Sequence, residues 1–338
     1  MSEAKIRAKK DTLSDKIGAS NVVSESAEPK FLLSGLDSLY VSYFFSAKLS
    51  NVDWEELAFQ KERLKAGGSR DGQAIRLGCE RFMLQPYGSK PYTYVLRNRY
   101  FIVRLAENMN PCCHVQFLSE GLWENGPQKQ VSQFELWAAS VGFTNTRMPV
   151  VSRADWAFDF QLSQIDFDEN DFVSLSRKDS KHRADGKAQT FTFGTGDKLV
   201  RIYDKTVEIE EKSGKTYFYQ IWKCRENIWR IEFQMRGEGL RQFGIRSPSE
   251  LFARQIGLLL NSAQKHTSLR VPSGDKNRSR WPLHPLWRAL LDAIQASPQT
   301  VRSEPLGQRT ASAPASPGAR KVVLWESEGP RCPLDHHG

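Results

Sequence analysis

The sequence predicts an α+β protein: a curved, largely antiparallel β-sheet backed by helices, with disordered tails at both ends. Three observations carry that expectation. Segments rich in aromatic and branched residues recur from residue 31 to residue 236, and the clearest of them alternate polar and apolar side chains. Between them lie stretches of helical spacing with their own start and stop signals. The first 30 or so residues and those beyond Ala296 are charged or rich in Pro, Ser and Ala, and too poor in apolar side chains to pack.

Phe31–Phe45, with its aromatic and branched residues, reads as the first strand. Asp53 caps a helix running through Trp54, Leu57 and Leu64 to Gly67-Gly68. Strands follow around 75–85, 92–106 and 112–118. The middle one interleaves Tyr92, Tyr94, Tyr100 and Phe101 with Arg97, Arg99 and Arg104, a pattern suited to clamping a single nucleic-acid strand or, equally, to a half-buried strand with a charged outer face. Ser132-Gln-Phe-Glu135 has the form of a capping box, followed by the stripe Phe134, Trp137, Ala138 and Val141 and a stop at Gly142. After a strand at 150–160, Asp166–Asp171 lacks the Gly and Glu of a calcium loop and reads as an acidic surface loop or helix start. Arg177 to Lys187 is a basic segment, read as a solvated linker or a DNA-contacting loop. Gly194-Thr-Gly196 lacks a third glycine and is a hairpin turn. Ser247-Pro-Ser-Glu250 opens a helix with a capping box and an early proline, and Trp287, Leu290, Leu291 and Ile294 mark another around 285–295.

Charge narrows the function. The chain has 338 residues, a formal net charge of +9 and a pI near 9.3, which favours a polyanionic partner. No apolar run reaches the roughly 18 residues of a membrane span, and the N-terminal stretch has no signal-peptide core. Cys79, Cys112, Cys113, Cys224 and Cys332 are odd in number and form no CxxC pair, so the expectation is reduced thiols in a cytoplasmic protein without structural zinc.

Three polar strand faces carry the chemistry. Along Leu199-Val-Arg-Ile-Tyr-Asp-Lys-Thr-Val-Glu208, read as one strand, Arg201, Tyr203 and Lys205 share a face. A phenol is a poor nucleophile at neutral pH, and flanking cations stabilise its phenolate, so Tyr203 is the candidate nucleophile for attack on a phosphodiester. In Val151–Phe160, Arg153, Asp155, Ala157 and Asp159 lie opposite Trp156, Phe158 and Phe160. In Trp229–Arg236, Arg230, Glu232, Gln234 and Arg236 lie opposite Ile231, Phe233 and Met235. Carboxylates on such faces suit a hard divalent cation. The simpler alternatives are a packed sheet-edge tyrosine, and ion pairing of Asp155 and Glu232 with Arg153 and Arg230.

Arg153-Ala-Asp-Trp-Ala-Phe-Asp159, Gly194 through Glu208, and Trp229-Arg-Ile-Glu-Phe-Gln-Met-Arg-Gly-Glu-Gly239, in that order, resemble the replication initiation factor family of rolling-circle initiators from plasmids, phages and conjugative elements. The resemblance covers roughly 31–265. It implies an initiator domain with an N-terminal part (31–149) and a catalytic part (150–265), while composition sets a disordered arm (1–30) before it and a basic linker and short helix (266–295) and a disordered tail (296–338) after it. It further implies a Mg²⁺- or Mn²⁺-dependent nickase that cuts one DNA strand at an origin, single-stranded or cruciform, stays joined to the 5′ phosphate through Tyr203 and leaves a 3′ hydroxyl primer. Asp155, Glu232 and Asp159 are then metal ligands and Arg201, Lys205 and Arg230 phosphate contacts. A host helicase and a homodimer are the implied protein partners, with no membrane. The His-hydrophobe-His pair of many nickases is absent, so the metal site must be built from carboxylates. A tyrosine recombinase does not fit, because no tyrosine lies beyond Tyr219. A non-catalytic DNA-binding regulator on the same scaffold and a transposase using the same tyrosine chemistry stay open.

Overall fold

The computed structural model describes residues 28–46, 50–68, 70–176, 179–184 and 187–297. Most of the expected arm and tail, Arg177 and Lys178, and the side chains of Lys181, His182, Arg183 and Lys187 lie outside what is described. The strands are β1 (Lys30–Phe45), β2 (Gln73–Leu77), β3 (Glu80–Leu84), β4 (Tyr94–Arg97), β5 (Phe101–Leu105), β6 (Cys113–Phe117), β7 (Asn145–Gln161), β8 (Phe172–Ser174), β9 (Asp179–Ala184), β10 (Lys187–Thr195), β11 (Lys198–Asp204), β12 (Ile228–Arg236) and β13 (Thr267–Leu269). The helices are α1 (Trp54–Ala66), α2 (Ser119–Asn125), α3 (Pro127–Ser140), α4 (Lys205–Glu208), α5 (Tyr217–Trp222), α6 (Gly237–Arg241), α7 (Pro248–Asn261) and α8 (Pro285–Ala296).

Eleven strands form one sheet in the order β2-β3-β4-β5-β6-β1-β7-β12-β11-β10-β9, and every described pairing in it is antiparallel. The predicted α+β class is therefore the observed one. The two long strands β1 and β7 sit at its centre, and their pairing is interrupted by register shifts such as those at Leu36/Ser38 and Tyr40/Val41. Each shift inserts an unpaired residue, which bends the strand and re-aims a side chain.

One face of the sheet is greasy and carries helices. Leu39, Val41, Trp156, Phe158, Phe233 and Ile231 join Leu57 of α1, Phe134 and Trp137 of α3, Leu258 of α7 and Trp287 of α8 in a single buried cluster. Three of the indoles in it are hydrogen-bonded: Trp137 donates to the carbonyl of Leu77, Trp287 to that of Ala263, and Trp156 to the side chain of Gln255. The opposite, outer face is polar over most of its width. A small second cluster of Ile209, Phe218, Trp222 and Ile228, packed with Trp123 of α2, covers it at one end only. Gly35 makes room for that cap, since a Cβ there would come within 2.7 Å of the Trp123 ring.

Two of the expected helix caps form. Asp53 accepts from the Glu56 amide at the start of α1, and Ser247 and Glu250 form the reciprocal capping box of α7. Three expectations are corrected. Residues 75–85 and 92–106 each fold into two strands rather than one, the second turning where Asn98 accepts from the amides of Tyr100 and Phe101. Helix α3 begins at Pro127, so Ser132 lies in its second turn; proline at the first position and the free amides beyond it outweigh the Ser132–Glu135 box. Strand β11 stops at Asp204, whose carboxylate accepts from the Val207 amide and caps α4, so Lys205 leaves the strand.

Candidate active site

Period two placed the polar residues of three adjacent strands correctly. Across β7 and β12, Asp155 faces Gln234, Ala157 faces Glu232 and Asp159 faces Arg230; across β12 and β11, Glu232 faces Arg201 and Arg230 faces Tyr203. Residues directly opposite one another share a sheet face, so all of these point outward together. The cap then divides them into two groups with different chemistry.

The first group lies beside the cap. The Tyr203 hydroxyl donates to Glu232 Oε2 at 3.0 Å, and Arg201 holds the other carboxylate oxygen through Nη2. Arg153 grips Asp155 through both Nε and Nη2, at 2.9 and 2.6 Å. Both carboxylates are mostly withdrawn from water, with side chains 4 % and 8 % exposed, whereas Arg201 remains 35 % exposed. Burial pushes the Asp155 carboxyl up to about 6; its Arg153 partner opposes the rise, and the nearby negative charge of Glu232 adds to it. Burial, and then Glu232, also hold the Tyr203 phenol well above its ordinary value of 10.0. Nε of Arg201 is buried and finds no acceptor among the described residues, leaving a guanidinium donor unspent next to the phenol.

The second group is sealed beneath the cap. Both oxygens of Asp159 are taken, one by Arg230 Nε at 2.6 Å and the other by Arg230 Nη2 at 2.8 Å and the Trp222 indole at 2.9 Å. Neither Asp159 nor Arg230 has any exposed side-chain surface. Nη1 of Arg230 lies 3.1 Å from Asp37 Oδ1, off the hydrogen-bonding direction, and its guanidinium stacks on Phe218. Asp37 also accepts from Ser119 and the Trp123 indole and pairs with Lys215. Burial works to raise its carboxyl, but the surrounding Arg230, Lys215 and Lys205 outweigh it and keep Asp37 ionised far below the usual range.

These placements revise three of the seven residues singled out from sequence. Asp159 has no exposed surface and lies under the cap, so it anchors Arg230 instead of standing open to a metal ion. Arg230 is a buried counter-ion beside Tyr203 instead of a phosphate contact. Lys205, in α4, is buried between the rings of Tyr203 and Phe218, at 5.8 and 5.6 Å, and pairs with Glu208. Tyr203, Arg201, Glu232 and Asp155 remain together on the outer face, joined through Glu232. Asp37 was missed, because only the bulge between Leu36 and Ser38 turns it onto the outer face. An aspartate inside an otherwise aromatic strand was the available signal. The ion pairing weighed for Asp155 with Arg153 is present, while Glu232 pairs with Arg201 in place of Arg230.

Among the described residues, no three His, Cys, Asp or Glu side chains gather as a self-sufficient metal site. What the outer face does hold is a pair of buried carboxylates, Asp155 and Glu232, with the charge of Glu232 opposing ionisation of Asp155 and the Gln234 side chain directly opposite Asp155. Such a donor set suits a hard divalent ion that keeps part of its shell for water and phosphate oxygens, as Mg²⁺ does.

No family model and no curated protein matches the chain. It is distantly similar in structure to the rolling circle replication initiator protein from Geobacillus stearothermophilus, with a TM-score of 0.44 and 16 % sequence identity over 78 % of this chain and 97 % of that one. No described helix is long and apolar enough to cross a membrane.

Proposed function

We propose that the protein is a DNA strand-nicking enzyme that initiates rolling-circle replication, with Tyr203 as nucleophile. One observation carries the reading: a single tyrosine hydroxyl is hydrogen-bonded to a carboxylate, Glu232, whose second oxygen is held by an arginine, on a polar sheet face next to a second desolvated carboxylate. Tyr203 then has both a proton acceptor and a phosphate-binding cation within reach.

In the proposed reaction the phenolic oxygen attacks the scissile phosphorus while its proton passes to Glu232. The bond from phosphorus to the 3′ oxygen breaks, the departing oxygen takes up a proton from water, Glu232 returns its proton to water and is again a carboxylate, and the 5′ phosphate remains esterified to Tyr203. No atom is oxidised or reduced. Arg201, whose guanidinium keeps an exposed edge beside the phenol, neutralises charge on the non-bridging oxygens. Arg230 and Lys205, held beneath the ring by Asp159, Asp37 and Glu208, fix Tyr203 in place and supply positive charge without touching DNA. Asp155 and Glu232 would hold a Mg²⁺ or Mn²⁺ ion, which supplies further charge neutralisation at the phosphate.

Incubating the protein with 3′-labelled single-stranded oligonucleotides of mixed sequence and Mn²⁺ tests this reading. The expected result is a covalent protein–DNA adduct that maps to the Tyr203 peptide and is absent from Tyr203→Phe. An adduct on another tyrosine, or one that survives the substitution, overturns it. A non-catalytic regulator predicts binding with no adduct at any metal concentration, and a transposase predicts the same adduct followed by joining to a second DNA.

A further inference from the structure

The outer face does not end at the nucleophile. From Asp155 it continues across β1 to β6, β5 and β4, where the outward residues are half-buried or exposed. There the expected alternation of aromatics and arginines is sorted by the pleat. Tyr94 and Phe101 turn inward to the helices, and Arg99 is engaged by Glu120 and Glu124 at the turn. Tyr92, Arg97 and Arg104 are left outside. The register adds three partners from other strands: Tyr40, opposite both Gln116 and Arg153, His114, opposite Ser42 and Arg104, and Arg153 itself.

Together they form a line of π surfaces leading to the site. The Tyr92 and His114 ring centroids are 6.0 Å apart, those of His114 and Tyr40 are again 6.0 Å apart, and the Arg153 guanidinium sits 5.1 Å from the Tyr40 ring while gripping Asp155. The line is braced. His114 is held between Arg104, 3.5 Å from Nδ1, and Ser152, 3.2 Å from Nε2, and the bulge between Tyr40 and Val41 is what lets Ser152 and Arg153 both reach the outer face. Burial, and then Arg104, bring the His114 ring down to about 4, so it is a neutral stacking surface at physiological pH. No Asp or Glu takes an outward position on β2 to β6, so Arg97 and Arg104 face no carboxylate on those strands, and the acidic groups begin only at Asp155, beyond Arg153.

We propose that Tyr92, His114, Tyr40 and Arg153 form a stacking track for single-stranded DNA, with Arg97 and Arg104 on its phosphates, that delivers the scissile phosphate to Tyr203. Rings spaced along a face that carries Arg97 and Arg104 match the alternation of bases and phosphates in an unpaired strand, and a duplex keeps its base faces stacked and offers them nothing. The track deepens the nickase reading and rests on it only for the direction of delivery; binding itself needs neither metal nor cleavage.

The test uses the full chain in EDTA with fluorescein-labelled oligo(dT) of about 20 nucleotides, read by anisotropy, with Tyr92→Ala, Tyr40→Leu and Phe59→Ala, a residue 60 % exposed on α1 at the helical face. Tyr92→Ala and Tyr40→Leu are each expected to weaken binding about 10-fold, Tyr92→Trp to restore it, and Phe59→Ala to leave it unchanged. Arg104→Gln should lower the slope of log affinity against log salt by about 0.7. Photocrosslinking of 5-bromodeoxyuridine oligonucleotides to the wild-type protein provides a readout independent of variant folding, with adducts expected on the Tyr92, Tyr40 or His114 peptides. Unchanged affinity in both tyrosine variants, or crosslinks confined to peptides elsewhere, overturns the track even if the Tyr203 adduct forms. Weakened binding in variants of a protein that never forms an adduct leaves the track standing and removes the nickase. Equal affinity for a blunt duplex of the same length also overturns it.

Discussion

Asp155 is held in a place that costs the fold stability, and removing its charge should return that stability. Its carboxyl is raised from 3.8 to about 6 by burial and by Glu232, against the pull of Arg153. A rise of about 2 units at 1.36 kcal/mol per unit makes the ionised form about 3 kcal/mol less favourable in the folded chain than in the unfolded one. The sign follows from proton counts: between pH 3.8 and about 6 the folded state binds more protons, so stability falls as pH rises through that window and the full penalty is present above it. Asp155→Asn keeps the shape and removes the charge, at the cost of an amide facing Arg153. We expect a net gain of about 1–3 kcal/mol at pH 7.5 in EDTA, or a rise in Tm of roughly 3–8 °C. The gain should shrink toward zero near pH 4. Thermal unfolding of both proteins from pH 4 to 8 measures it. A variant that is less stable at pH 7.5, or a gain that does not change with pH, refutes the electrostatic reasoning. In the same assay Mn²⁺ at 100 times its Kd should stabilise the wild type by about 2.7 kcal/mol and the variant by much less. Equal stabilisation of the two would remove Asp155 from the metal pair.

Asp159→Ala should cost about 3–5 kcal/mol in urea denaturation, because it strands the fully buried Arg230 with an off-axis contact to Asp37; a loss under 1 kcal/mol would contradict its anchoring role. Tyr203→Phe removes one hydrogen bond to the Glu232 carboxylate, and its stability should fall by no more than about 3 kcal/mol, so that loss of the DNA adduct from a protein still folded at the assay temperature reads as lost chemistry. Ser247→Ala removes the α7 cap and should cost about 1 kcal/mol by the same denaturation measurement, with no effect on single-strand binding.

The amphipathic alternation of three segments carried much of the site on its own. Because side chains of a strand alternate strictly, Asp155, Arg201, Tyr203 and Glu232 had to share faces once their segments were strands, and pairing the greasy faces against helices forced those polar faces outward together. The α7 capping box was legible for a similar reason: its two reciprocal bonds are local. The tail of the Tyr203 segment was not, since Asp204 can either continue a strand or cap a helix, and only the chain's return toward α5 decides for the cap.

Which polar residues would meet solvent was beyond the sequence. The order β1-β7-β12-β11 brings together strands that are far apart in the chain, and α2 and α5, also distant in sequence, close over one end of the shared face. That lid turns Asp159, Arg230 and Lys205 into buried counter-ions while leaving Tyr203, Glu232 and Asp155 at its rim. Alternation fixes the side of a sheet on which a residue stands; whether water reaches it depends on what packs above, and such contacts between distant segments leave no periodic trace in the sequence.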